Sequence, residues 1–247
     1  MIMISEDELG FELYLRSKLV EAAQELNQSL AEFASFEHSR CNPEFWIRTL
    51  NGGFQQRSGI PSSIAIRDIY NNGSLYAFEC ATAMVIVLYK AVLDTLGEEV
   101  FLRHFSSILL RDWHFDGGLR IITWGNVRKS FPGDILYFRN PDYDPKTPEW
   151  QGENAVKLQH DLYYGHGIGI LNSKKMIEAL NGFRKPNANH PAYLEDQVTF
   201  PDYKYLAQLQ SGRGGASERY EDQFKPTHII AKIGSAIYIR TISHELV

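Results

Sequence analysis

The stretch Ala81–Leu96 (ATAMVIVLYKAVLDTL) is apolar on every side of a helix and is interrupted by charge at Lys90 and Asp94 alone. A helix with no polar face belongs in the middle of a globular core. Its two charges and limited length argue against a membrane span. Glu79 and Cys80 stand immediately before it, in the octapeptide YAFECATA. A thiol at a helix start meets unpaired backbone N–H groups and the positive end of the helix dipole, which favours thiolate. A thiolate is a strong nucleophile near neutral pH. The plainer reading is that Cys80 packs as a small hydrophobe.

Around this helix the pattern sorts into two halves. Glu8 to Phe36 reads as one long amphipathic helix or two in succession, with Leu13, Leu19, Ala22, Ala23, Leu26, Leu30 and Phe33 at helical spacing. Cys41 to Gly59 is rich in Gly and Pro, so it is loop or short strand, anchored by Phe45, Trp46 and Ile47. A short helix is expected over Pro61–Tyr70, stopped by Asn71, Asn72 and Gly73. Gly97 ends the Cys80 helix, and another helix runs from Glu98 to about Leu110. The period then changes to that of strands at Asp134–Arg139, Asn154–Leu158 and Leu162–Leu171, and a helix follows over Lys174–Phe183. Gln210–Thr227 reads as a flexible linker, and Ile229–Ile242 alternates like a strand that adds to something.

Composition narrows the class. The chain has 247 residues, 44% hydrophobic and 22% charged, with net charge −5, so a globular protein without a nucleic-acid footprint is expected. Its two cysteines, Cys41 and Cys80, make neither a disulfide framework nor a CxxC pair. The acidic opening MIMISEDELG lacks the form of a signal peptide. A reducing cytoplasm fits and would keep Cys80 free. No metal or other cofactor is expected: the histidines form no ligand constellation, and NPDYDP lacks the spacing and glycine of a calcium loop.

Helices first and a small antiparallel sheet later is an α+β order. A Cys at the start of a core helix packed on such a sheet is the layout of papain-like thiol enzymes. In papain-like cell-wall peptidases the strand after a GD-plus-apolar strand carries the catalytic His. Here GDILYF (Gly133–Phe138) is the first strand and GENAVKL begins at Gly152, with Glu153 in the histidine's place. His166 lies on the third strand, in YYGHGIGIL, between glycines that permit close approach.

The segments GFELYLR, AIRDI, YAFECATA, RDWHF, GDILYF, NPDYDP, EWQGEN and YYGHGIGILN, in this order, resemble the small spore-coat transglutaminases of endospore-forming bacteria. The resemblance spans roughly Gly10 to Leu194. It implies a calcium-independent protein-glutamine γ-glutamyltransferase with a papain-like core, acting on proteins that bear accessible Gln and Lys. Cys80 would be the nucleophile that forms a thioester, Glu153 its acid–base partner, and Glu79 a partly redundant one. Trp113, Trp150 and Phe33 match the aromatic walls of the family's tunnel. The chain departs from the family at both ends: the longer N-terminal segment is missing, and about fifty residues follow Tyr193. A catalytic domain over 8–195 and a C-terminal extension over 196–247 are therefore expected. Synthesis in the cytoplasm and deposition on a spore surface during sporulation are implied by the resemblance.

Each site residue also has a structural reading. Acids in a first helical turn are favoured by the dipole, which would account for Glu79. His166 serves equally well as a structural group or a site-lining one, and His114 as a weaker candidate. Trp113 and Trp150 could be core aromatics. Arg67 and Asp68 read as a structural ion pair. Asn154 or the backbone N–H of Cys80 could serve an oxyanion, the backbone donor being the better choice. If the site is buried, Cys80 and Glu153 should share one proton. The rival functions are a glutamine deamidase or effector domain using the same thioester, an inert binding or structural module, and a peptidase, which the absent His disfavours.

Overall fold

The computed structural model describes residues 6–211, 228–233 and 236–241. The elements run α1 (Glu6–Gln28), β1 (Glu32–Phe33), β2 (Trp46–Arg48), β3 (Phe54–Gln56), α2 (Ser62–Asn71), β4 (Ala77–Phe78), α3 (Cys80–Leu96), α4 (Glu98–His104) and β5 (Leu109–Leu110). The second half holds β6 (Ile121–Trp124), β7 (Ile135–Arg139), β8 (Gly152–Gln159), β9 (Leu162–Gly165), β10 (Gly169–Leu171), α5 (Ser173–Asn181), β11 (Tyr193–Pro201), α6 (Tyr203–Ser211), β12 (His228–Ile233) and β13 (Ala236–Thr241).

α3 is buried along its whole apolar length, with Met84, Val85, Ile86, Val87 and Leu88 fully inside. Each such side chain contributes roughly 1.5–3 kcal/mol on burial, far more together than the ~1 kcal/mol of a helix cap. Packing therefore holds this helix. Lys90 and Asp94 pair with each other at its half-exposed edge, and Lys90 also reaches Glu25 of α1. Gly97, at φ 77, stops the helix with a backbone that other residues rarely adopt. α1 lays Phe11, Leu15, Leu19, Ala22, Ala23 and Leu26 against this core.

The sheet has six strands in the order β10-β9-β8-β7-β11-β6, all antiparallel. Its strands alternate between two cores. Ile135, Val156, Leu158 and Tyr164 join the core of α1 and α3, whereas Leu136, Phe138, Ala155 and Tyr163 face Met176 and Leu180 of α5. β7 and β8 are neighbours, with Tyr137 opposite Asn154 and Phe138 opposite Glu153.

Several sequence expectations shift. α1 ends at Gln28, not Phe36: Leu30 takes φ 69, and Glu32–Phe33 then pairs in parallel with Ala77–Phe78, which sets Phe33 beside the strand that leads into Cys80. α4 stops at His104, and Leu109–Leu110 pairs with β3 instead of continuing a helix. Trp46 anchors the β2–β3 hairpin, but Ile47 is exposed. Leu162–Leu171 is a hairpin of two strands that turns at Gly167. Arg67 and Asp68 do not pair: Arg67 reaches Glu98, and Asp68 accepts from Asn42, Asn72 and Tyr76. β6, β11 and α6 are elements that the sequence reading did not anticipate. The boundary expected after residue 195 falls within β11, whose Val198–Pro201 half pairs with β6. Ile229–Ile242 finds its partner within the tail, as β12 pairs with β13, and Ile233 is buried in the α1–α3 core. Apart from its first two residues, the expected linker 210–227 lies outside the described residues.

Candidate active site

Extended backbone at β4 delivers the chain to the start of α3, and Glu79 occupies the N-cap position. Its carboxylate accepts from the N–H groups of Ala81 (2.7 Å) and Thr82 (2.6 Å) and from the Thr82 hydroxyl (2.7 Å). The capping role of an acid at a helix start is thus realised in full. It also uses both amides that follow Cys80. The Cys80 amide is the first-turn donor that the cap leaves unused.

β8 brings in the second part of the site. Asn154 shares the α3 side of the sheet with Val156, and its Nδ2 donates to the Cys80 Sγ at 3.5 Å. Glu153 leaves the strand on the other side and is completely buried. Neither of its oxygens has a hydrogen-bond partner among the described residues, so no direct hydrogen bond joins Cys80 and Glu153 at rest. The glycines of YYGHGIGIL have a geometric reason. A Cβ on Gly165 would lie 2.8 Å from the Glu153 Cγ and Oε1, and one on Gly167 would strike the Phe33 ring at 2.7 Å. What approaches closely is the protein's own side chains.

Electrostatics correct the reading of a resting thiolate. Burial pushes the Cys80 thiol well up, the charges of Glu153 and then Glu79 push the same way, and hydrogen bonds from Asn154 oppose them. Desolvation outweighs the helix dipole, and Cys80 rests as a thiol. Burial likewise holds the Glu153 carboxyl well above its ordinary range, reinforced by Glu79; the nearby backbone N–H of His166 offsets this in part without reaching hydrogen-bond geometry. Glu79 is raised by burial too, with its three hydrogen bonds pulling back. The nucleophile must therefore be generated during attack, by transfer of its proton to a base.

Cys80 opens on a cavity of about 760 Å³, within the range of small-molecule pockets. Trp113 and Asn154 line it with Glu79 and Cys80, as do Tyr137 and Glu195. Phe33, Trp150 and His166 gather in a separate aromatic cluster. Phe33 contacts Trp150 at 4.7 Å between centroids, and Trp150 stacks on Phe183 at 4.1 Å. His166 stacks on Phe78 at 4.5 Å and has both ring nitrogens engaged: Nε2 donates to the Glu32 carbonyl (3.1 Å) and Nδ1 accepts from the Tyr164 hydroxyl (2.9 Å). Burial pulls its pKa down to about 4, so the ring is neutral and ties β1 to the sheet. His114 is exposed and engages through its backbone amide.

Two residues escaped the sequence reading. The Thr82 hydroxyl, besides meeting Glu79, accepts the Asp112 amide at 2.9 Å and so fixes the RDWHF loop that carries Trp113. A Thr three residues after an N-cap acid was its sequence signal. Tyr137 was hidden because its strand was read only as the GD-plus-apolar strand that precedes Glu153. Strand alternation from Ile135 places it on the α3 side. Among the described residues no group of three or more His, Cys, Asp or Glu side chains could hold a metal ion.

The sequence profile of the family described as protein-glutamine gamma-glutamyltransferase matches residues 3–210. The chain belongs to this family. A protein-glutamine gamma-glutamyltransferase of Halalkalibacterium halodurans is 46% identical over 195 residues, covering 79% of this chain and 68% of that one. One from Bacillus licheniformis is 46% identical over 206 residues, covering 83% of each. A solved transglutaminase from Geobacillus stearothermophilus, without its C-terminal extension, superposes with a TM-score of 0.80 at 50% identity, covering 83% of this chain and 98% of that one. The transglutaminase described above is thus an α+β enzyme with a papain-like core, a transferase that cross-links proteins through isopeptide bonds. No helix among the described residues is long and apolar enough to cross a membrane.

Proposed function

We propose that this transglutaminase joins glutamine and lysine side chains of proteins through a Cys80 thioester, with Glu153 as the acid–base group. The observation that carries the assignment is a completely buried carboxylate without a hydrogen-bond partner among the described residues, whose charge acts on the Cys80 thiol more strongly than any other group's. Leaving a carboxylate unsatisfied in a protein interior costs stability, and such a group is suited to receive and return a proton.

Substrate glutamine enters with its γ-carboxamide at the sulfur. The Cys80 proton passes to ionised Glu153 as the sulfur bonds to the carboxamide carbon. The same proton goes to the departing nitrogen, the C–N bond breaks, and ammonia leaves a thioester. In the second half, a lysine amine attacks the thioester and gives its proton to Glu153, which returns it to sulfur. An isopeptide bond and the thiol result. Hydrogen bonds form to the reacting atoms as substrate binds, which is how long resting contacts become catalytic ones. Trp113 and the half-buried walls around Cys80 keep water from competing with the amine. Phe33, Trp150 and His166 support the site from the cluster behind it, and Glu79 acts first as the cap that holds Cys80 in place.

The wider setting rests on the resemblance: calcium-independent catalysis, synthesis in the cytoplasm and deposition on a spore surface. We draw the catalytic domain from Glu8 to the end of α6, because β11 crosses the boundary first expected at 195. The β12–β13 hairpin then belongs to the extension.

Mass spectrometry of a glutamine- and lysine-rich protein, incubated with the enzyme and a small primary amine beside a Cys80→Ala control, tests this reading. Incorporated amine and cross-linked species that vanish in the control are expected. Glutamine converted to glutamate without amine incorporation would make the enzyme a deamidase. Products that persist in the control would remove Cys80 from the nucleophile's place.

A further inference from the structure

We propose that Tyr137 is a catalytic residue whose phenol O–H donates a hydrogen bond to the substrate carboxamide oxygen as it becomes an oxyanion. The inference rests on Cys80 being the nucleophile.

Placement is the first argument. Tyr137 lies directly across from Asn154 in the β7–β8 ladder. Directly opposed side chains share a face, with Cβ atoms roughly 4.5–5.5 Å apart. Asn154 touches the sulfur at 3.5 Å, and both residues line the Cys80 cavity. The phenol thus stands beside the group that contacts the nucleophile.

The second argument is the room made for the hydroxyl. A Cβ on Gly152 would fall 2.1 Å from the Tyr137 Oη and 2.3 Å from its Cζ. Glycine at this position lets the phenol lie directly over the β8 backbone. Among the described residues the hydroxyl has one weak partner, the Gln151 carbonyl at 3.5 Å, the outer limit of a hydrogen bond. A stronger acceptor, such as a developing oxyanion, would take this donor readily.

Donor accounting is the third. The amides of Ala81 and Thr82 serve Glu79, and the Asn154 side-chain amide serves the sulfur. The Cys80 amide remains, and Tyr137 supplies the second donor. Burial raises the phenol to about 12, with Cys80 adding to the shift, so it keeps its proton at neutral pH. During attack the carbonyl π pair moves to oxygen, and Tyr137 stabilises that charge without giving up its proton. The thiol proton follows its own route through Glu153 to the leaving ammonia, and the carbonyl re-forms as the C–N bond breaks.

Tyr137→Phe tests the proposal with two reactions of one sulfur. Transfer from a glutamine-bearing peptide to a small primary amine passes through an oxyanion. Alkylation of Cys80 by iodoacetamide is a displacement at carbon and builds no charge on a carbonyl. In the variant kcat is expected to fall about 10²–10³-fold, the loss typical of one oxyanion donor, while KM, the alkylation rate and Tm stay close to wild type. Gly152→Ala keeps the tyrosine but displaces its hydroxyl, and a folded variant should show the same split. If Tyr137→Phe keeps most of its kcat, or if alkylation falls in step with transfer, the proposal is overturned. Failure of the underlying reading looks different: wild-type enzyme alkylated at Cys80 would still transfer.

Discussion

Asp134 and Glu153 are carboxylates buried to 2% and 0% exposure, the first at the entrance to β7 and the second near the start of β8 beside it. Their surroundings are opposite. Asp134 Oδ1 accepts from Arg16 Nη1 at 2.6 Å, and Oδ2 accepts from the Phe131 amide at 2.7 Å. Arg16 also bonds the Pro132 carbonyl and Glu12, between the rings of Phe131 and Tyr203. Glu153 has none of this. Burial raises both carboxyls. At Asp134 the Arg16 charge and the hydrogen bonds pull back, whereas at Glu153 the next contributor, Glu79, pushes further in the same direction. The paired carboxylate joins α1, β7 and the Tyr203 end of α6. The unpaired one holds nothing together, and its cost makes sense as chemistry.

Two substitutions should separate these roles by the largest margins. Glu153→Gln is expected to lower transamidation by about 10²–10⁴-fold, the worth of a positioned acid–base group, in an enzyme that still folds. Asp134→Asn should do the reverse. It leaves Arg16 buried and poorly compensated, for a loss of about 3–5 kcal/mol in denaturant unfolding, while kcat per folded molecule stays near wild type. Near-full activity in Glu153→Gln, or a kcat loss without a stability loss in Asp134→Asn, would break the contrast.

The pH dependence sharpens it. The raised Glu153 carboxyl keeps its proton in the folded state after the unfolded chain has lost it. Its contribution to stability is therefore fully present below the unfolded carboxyl pKa and is lost as pH rises through the folded one. Glu153→Gln should lose less stability than wild type as the medium becomes alkaline, which thermal melts across pH would show. The ionised carboxylate is the base, so wild-type kcat should rise with pH along a limb placed above the ordinary carboxylate range. A limb at ordinary carboxylate pH would mean that another group titrates.

The parts of this site legible in sequence were those with a strong local signature. An all-apolar segment fixed α3 at the centre of the core, and Glu79–Cys80 at its start needed no tertiary information. The GDILYF and GENAVKL strands stood out as short apolar, strand-like runs that begin at glycine, and the glycines around His166 signalled close approach. Long-range arrangement was not legible. Phe33 read as helical because its spacing continues that of α1, but pairing with Phe78 overrides the periodicity. β11 carries a bulge between Leu194 and Val198, which erases the alternation that would have marked it. The resting thiol was missed for a related reason: dipole effects are readable from position in a helix, whereas desolvation depends on every layer packed above it.

Glu79 sits between the two extremes of the comparison, since its carboxylate is both satisfied and close to the chemistry. Glu79→Gln keeps one acceptor oxygen and loses the second, along with a negative charge at a helix N-terminus, so about 1 kcal/mol of stability should go. Removing that charge also makes Glu153 easier to ionise. Its pKa falls, and the activity limb should move to lower pH while the plateau stays within about tenfold of wild type. A plateau that collapses to the level of Glu153→Gln would instead make Glu79 a direct proton carrier. The double variant decides whether the two are redundant. If Glu79 substitutes for Glu153, adding Glu79→Gln to Glu153→Gln should remove most of the residual rate. If Glu79 is only the cap, the second change should leave that residue of activity nearly untouched.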